Sequence, residues 1–178
     1  EVDFGPNAVV DLNALHKRWF NRHLKDIENG IDREPPIRYF VMGLNDWRES
    51  FRWPPQTTRP IDYYFSSGGN ANTSQGDGLL STEPPSKEGS DSFISDPNAP
   101  IPSKGGRDVE PTYKGTFAPH DQRGIEANAN VLVYTSAPLE HDMEVAGPLT
   151  ATLSIETDAV DTDIVVKLVD VHPDGFAQ

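Results

Sequence analysis

Ile164-Val165-Val166-Lys167-Leu168-Val169-Asp170-Val171, followed after His172 by the turn signal Pro173-Asp174-Gly175, decides the fold reading. Its β-branched, nearly continuous apolar run predicts a strand covered on both faces. A turn of that kind feeds a partner strand. Since the chain stops at Gln178, the sheet is expected to be incomplete at that end. Working back, residues 130–134, 143–147 and 149–156 also read as strands, and Leu149, Ala151, Leu153 and Ile155 alternate as one face of a sheet should.

Upstream of these lies a long loop-like stretch, 66–124, punctuated by Gly68-Gly69, Pro84-Pro85, Asp96-Pro97 and Gly105-Gly106. A structureless connection of that length is uncommon inside a domain, so short strands are expected within it, at 78–81 and 91–94. Residues 37–43 form a β-rich run behind Pro35-Pro36, 44–55 an aromatic-rich turn, and 61–65 another short strand. The first thirty residues read differently. Leu12, Leu15, Trp19, Phe20, Leu24 and Ile27 recur at helical steps behind Asp11 as N-cap, with Gly30 expected as the residue that ends the helix. This helix of 11–29 is amphipathic and no helical neighbour follows it, so its stripe is expected to pack on something upstream.

Composition narrows the function classes. Sixteen prolines and fourteen glycines argue against an all-helical chain. A formal net charge of −13 argues against a nucleic-acid partner, which needs a basic face. With no cysteine, disulfides, thiolate metal sites and a Cys nucleophile are excluded. No run of about 18 apolar residues reads as a membrane helix. The compartment stays open between bacterial cytoplasm, periplasm and secretion.

Several segments, in order, resemble one known group. They are Phe40-Val41-Met42-Gly43 with Asn45, Trp47-Arg48 and Trp53-Pro54; Asp96-Pro97 through Pro102; Gly105-Gly106; Asp121-Gln122-Arg123; and Val131 through Ser136. The densest are Glu144-Val145 with Gly147-Pro148, Asp161-Thr162-Asp163, and Lys167 through Val171 with Pro173-Asp174-Gly175. Together they resemble the C-terminal domain of X-Pro dipeptidyl-peptidases and of the CocE/NonD hydrolases, which include cocaine-esterase-like enzymes and α-amino-acid ester hydrolases. The resemblance implies a mainly β fold, an incomplete jelly-roll (galactose-binding-like) β-sandwich preceded by the last helix of an α/β-hydrolase domain. Residues 1–34 would be that helix and a linker, and 35–178 the truncated sandwich.

The implied parent is a serine esterase, acylase or dipeptidyl-peptidase. Its Ser-Asp-His triad would lie upstream, because the family's catalytic His precedes the final helix. No serine here sits in a G-x-S-x-G elbow, which agrees. The chain alone is therefore expected to be inactive, with no catalytic residue, cofactor or metal. The implied partners are the upstream hydrolase domain and, through the parent, a small acyl ester, amide or peptide; homo-oligomerisation stays open. Trp19, Phe20, Trp47 and Trp53 are the expected interdomain contacts. In relatives the loop at 107–119 approaches the active-site mouth, so Tyr113 and Phe117 are the candidate pocket lining.

Rival readings attach to particular residues. His16 and His23 read as interface packing, whereas His120, His141 and His172 read as surface loop or turn positions. Asp158, Asp161 and Asp163 could hold calcium but lack the EF-hand pattern, and a solvated turn is the simpler reading. Asp170, within an apolar strand, is expected to be a buried or interfacial acceptor. Trp47, Phe51, Trp53, Tyr63, Tyr64 and Phe65 also suit a free-standing carbohydrate-binding sandwich, in which rings stack on sugar.

Overall fold

The computed structural model describes residues 3–87, 89–106 and 119–178. They fall into two compact units. One comprises Asp3–Arg59 with Met143–Leu149, and the other Pro60–Asp142 with Thr150–Gln178.

In the first unit, helix α1 spans Leu12–Lys25. Asp11 caps it as expected: its Oδ1 accepts the Ala14 N–H at 2.9 Å, satisfying one of the first-turn donors that have no helical partner. Arg22, His23 and Lys25 in the last turn complement the negative end of the helix dipole. The helix ends earlier than the sequence suggests. Asp26 closes it in the left-handed conformation at φ 52°, and its N–H and that of Ile27 both turn back to Asn21 O. Gly30 instead opens a 3₁₀ turn, Ile31–Arg33. Arg18 to Glu34 and Arg22 to Asp32 are ion pairs that tie this turn back to the helix.

β1 (Ile37–Val41) follows the Pro pair and is paired antiparallel with β2 (Asp46–Ser50). The aromatic stretch expected as a turn thus contributes a strand. The reversal occupies the four residues between, where Gly43 (φ 89°) and Asn45 (φ 54°) supply the positive φ that most side chains resist. Alternation divides the hairpin into two faces. Arg38, Phe40, Trp47 and Glu49 share one; Tyr39, Arg48 and Ser50 share the other.

The second unit holds β3 (Tyr64–Ser66) antiparallel to β4 (Leu79–Ser81), and the short helix α2 (Arg123–Glu126). Residues 131–135 run beside 71–80 without a continuous ladder: Val133 N–H donates to Ala71 O at 2.8 Å and Thr135 N–H to Gly78 O at 3.1 Å. The approach is close. A Cβ on Gly78 would lie 2.0 Å from Val133 O, and one on Gly76 would lie 2.2 Å from Asn70 O.

Four other expectations are corrected. Residues 91–94 form no strand, because the Asp91 side chain gathers bonds that hold this segment as a loop. Residues 130–134, 143–147, 149–156 and 163–171 carry at most isolated bridges, because the backbone bonds they make to described residues do not continue into a ladder. The 163–171 run is exposed rather than covered on both faces, with Val165 at 79% and Leu168 at 60%. Finally, the Pro173-Asp174-Gly175 turn finds its partner inside the chain. Asp170 and Gln178 exchange two 2.8 Å backbone bonds, and His172 N–H donates to Phe176 O at 2.8 Å.

Candidate docking surface

Three features of the first unit could meet a partner. The first is the apolar stripe of α1. Leu12, Leu15, Trp19, Phe20 and Leu24 lie at helical spacing, and each is between 45% and 74% exposed. His23 stacks against Trp19 at 4.2 Å between ring centroids, so it extends the stripe. His16 is exposed on the same helix.

The second is the aromatic face of the hairpin. Phe40 meets Trp47 edge-on at 5.2 Å and Phe4 at 6.0 Å, while the Trp47 indole N–H donates to Asn7 O at 2.8 Å. The Arg38 guanidinium lies 4.5 Å from the Trp47 ring centroid, over its face. Cation–π attraction and the ring's own packing therefore fix Trp47. From the hairpin's other face, Tyr39 meets Trp53 edge-on at 5.3 Å; Trp53 is 48% exposed and Phe51 is 72% exposed.

The third is a cleft of about 570 Å³ over the opposite face of the hairpin. Tyr39, Arg48 and Ser50 form its floor, and Pro55, Thr58 and Glu144 stand around it. Arg48 is held by Asp46 at 2.5 Å and faces Glu144 at 3.9 Å. Thr58 Oγ1 donates to Ala146 O at 3.2 Å, joining two stretches of chain far apart in sequence.

The second unit contributes two polar centres that the sequence reading did not single out. Asp91 accepts the Ser67 hydroxyl at 2.6 Å, the Tyr134 hydroxyl at 2.7 Å and the Ala71 N–H at 2.9 Å. Burial alone would raise its pKa, but the three donors outweigh burial and hold the carboxyl below its usual range. Burial, then the bond to Asp91, raises the Tyr134 phenol well above normal. Gln122 is 8% exposed; its amide N–H groups donate to Lys104 O and His120 O, and its oxygen accepts from Lys167 Nζ. Beside it, the Arg123 side chain holds the Asp121 carboxyl far below the usual range.

Other residues fall where their segments carry them. Tyr113 and Phe117 lie outside the described residues. His120 is buried at 8% exposure, not a surface position, and its carbonyl accepts from the buried Gln122 amide at 2.8 Å. His172 is partly covered against Phe176, and His141 is exposed. Asp170 is exposed rather than buried, and its carboxylate lies 3.7 Å from His172. Asp158, Asp161 and Asp163 are exposed. The sequence signal for the missed centres was slight. Asp121-Gln122-Arg123 stood out as a match without its chemistry being legible, and Asp91 and Tyr134 are 43 residues apart.

Comparison with known proteins adds the relationship. The model of the X-Pro dipeptidyl-peptidase C-terminal non-catalytic domain, a β-sandwich-type domain, matches residues 29–178. The chain is 39% identical over 169 residues to the cocaine esterase of Rhodococcus sp. (strain MB1 Bresler), covering 95% of this chain and 29% of that protein. It is 32% identical over 158 residues to a Mycobacterium bovis protein named as a serine esterase, covering 89% of this chain and 23% of the relative. It is 28% identical over 172 residues to a Streptomyces avermitilis protein named as an Xaa-Pro dipeptidyl-peptidase, covering 97% and 22% respectively. The chain thus spans less than a third of the length of these relatives. With a mainly β architecture and a family match across most of its length, the chain belongs to the X-Pro dipeptidyl-peptidase C-terminal non-catalytic domain family.

Proposed function

We propose that this chain is the docking part of a larger serine hydrolase that cleaves ester or amide bonds, either α-amino-acid esters and acyl groups or X-Pro dipeptides. Residues 1–34 belong with the α/β-hydrolase domain and 35–178 with the sandwich. The observation that carries the reading is the α1 stripe: an amphipathic helix with five large apolar residues facing solvent needs a surface to cover. Names of the relatives, an esterase among them, support a hydrolase as the parent.

In that parent a serine, activated by histidine, forms an acyl-enzyme, and backbone N–H groups stabilise the oxyanion. Trp19, Phe20, Trp47 and Trp53 make the interdomain contacts, and Tyr113 and Phe117 line the substrate pocket. The free-standing carbohydrate-binding alternative is less well supported, because sugar stacking needs an open ring face and Arg38 lies over one face of Trp47.

The test has two arms. The isolated chain should not hydrolyse p-nitrophenyl acetate or an X-Pro anilide; turnover abolished by a serine-directed inhibitor sinks the proposal. In the full-length protein, Leu24→Asp should lower the melting temperature, since docking buries a leucine worth roughly 1.5–3 kcal/mol. An unchanged transition means that α1 docks on nothing.

A further inference from the structure

Asn29-Gly30 is the one Asn-Gly step in the sequence, and it sits where α1 is tied to the segment leading into β1. Asn29 Nδ2 donates to Arg18 O at 2.7 Å, and the Arg18 guanidinium reaches back to Asn29 O at 3.4 Å. Asn29 Oδ1 accepts the Ile31 N–H at 3.2 Å. The half-buried Asn29 amide is therefore a latch across 11 residues of chain.

The same geometry sets up a reaction within the backbone. The bond from Ile31 N–H polarises the Asn29 side-chain carbonyl and makes its Cγ more electrophilic. The prospective nucleophile, Gly30 N, makes no hydrogen bond to any described residue. Gly30 also brings no side chain of its own to hinder the approach, and beyond its two chain neighbours nothing lies within 4 Å of where a Cβ would stand. We propose that Asn29 is a site of spontaneous deamidation, a chemical clock on the α1 latch.

Gly30 N loses its proton to hydroxide and bonds to Asn29 Cγ. The Cγ–Nδ2 bond breaks, and Nδ2 leaves as ammonia after taking up a proton from water. Water then opens the cyclic imide at either carbonyl, giving aspartate or isoaspartate at position 29. The net change is amide plus water to carboxylate plus ammonium, with no other reactant. The product carboxylate cannot donate to Arg18 O, so the latch is lost.

The test uses the full-length protein held at mildly alkaline pH in heavy-oxygen water and then cut with trypsin. Cleavage after Lys25 and Arg33 releases a peptide, 26–33, whose single asparagine is Asn29. We expect this peptide to take up heavy oxygen several-fold faster than those carrying Asn72 or Asn98, to yield both aspartate and isoaspartate, and to stop doing so in Asn29→Gln. Equal uptake in all three peptides, or uptake at Asn29 only in denaturant, overturns the proposal. Asn29→Asp, the product itself, should raise amide exchange across 29–34 several-fold; unchanged exchange overturns the latch.

Discussion

The Tyr134 hydroxyl donates to Asp91 Oδ2 at 2.7 Å, and the same oxygen takes the Ser67 hydroxyl at 2.6 Å. One carboxylate thereby joins three stretches of the second unit. Hydrogen bonds to a charged group are among the stronger ones, so Tyr134→Phe should cost roughly 1–3 kcal/mol in urea unfolding of the full-length protein.

The pair also sets a pH window. Asp91 is lowered in the folded state, so its contribution is present above the ordinary carboxylate range and is lost as pH falls through its lowered value. Tyr134 is raised, so its contribution is complete below about 10 and is lost only as pH climbs through the raised value. Ultraviolet titration should show a late phenol ionisation, and that late phase should be missing in Tyr134→Phe.

Asp121 offers a cleaner acid-side test. Its two oxygens face the Arg123 side chain, with Oδ2 at 2.6 Å from Nη2 and 2.9 Å from Nε. The lowered carboxyl contributes above the ordinary aspartate range, and that contribution disappears only in strong acid. By NMR titration, Arg123→Gln should return the Asp121 carboxyl toward the usual range and remove its share of the acid limb. An Asp121 signal that titrates identically in both proteins contradicts this.

Gln122→Leu keeps the bulk of the side chain but removes its polar end. The carbonyls of Lys104 and His120 lose their donor and Lys167 loses its acceptor. Leaving buried polar groups unmatched costs roughly 1–3 kcal/mol. The loss should appear in full-length unfolding and as faster amide exchange around 120–126.

At the other unit, Asp11→Ala should cost about 1 kcal/mol by removing the bond to the Ala14 N–H. Amide exchange in the first turn of α1 should rise while the hairpin is unaffected.

These centres show what could be read from the chain and what could not. The start of α1 was legible, because an Asp followed by helically spaced apolar residues is a local signal. Its end was not: Asp26 takes the left-handed conformation four residues before the better-suited Gly30, a choice made with the ion pairs of Arg18 and Arg22 to the following turn. β2 was hidden because its cross-strand match, Phe40 to Trp47 and Arg38 to Glu49, appears only once the reversal at Gly43 is known. Apolar composition marked 163–171 as extended but carried no word on its neighbours. The proposed docking residues Trp19, Phe20, Trp47 and Trp53 were visible as large aromatics in patterned segments. Asp91, Gln122 and the burial of His120 were not, since each depends on segments brought together from a distance.

Gly76 and Gly78 carry a last implication, for how this domain can diversify. A saturation library would recover glycine alone at both positions, because the obstacle is a neighbouring carbonyl that no rotamer avoids. Residues 82–87, all exposed, should accept almost any substitution. The Gly78 contact with Val133 O holds 71–80 in line with 131–135, and the Gly76 contact with Asn70 O holds the turn that precedes it, so substitutions at 82–87 should leave that alignment intact.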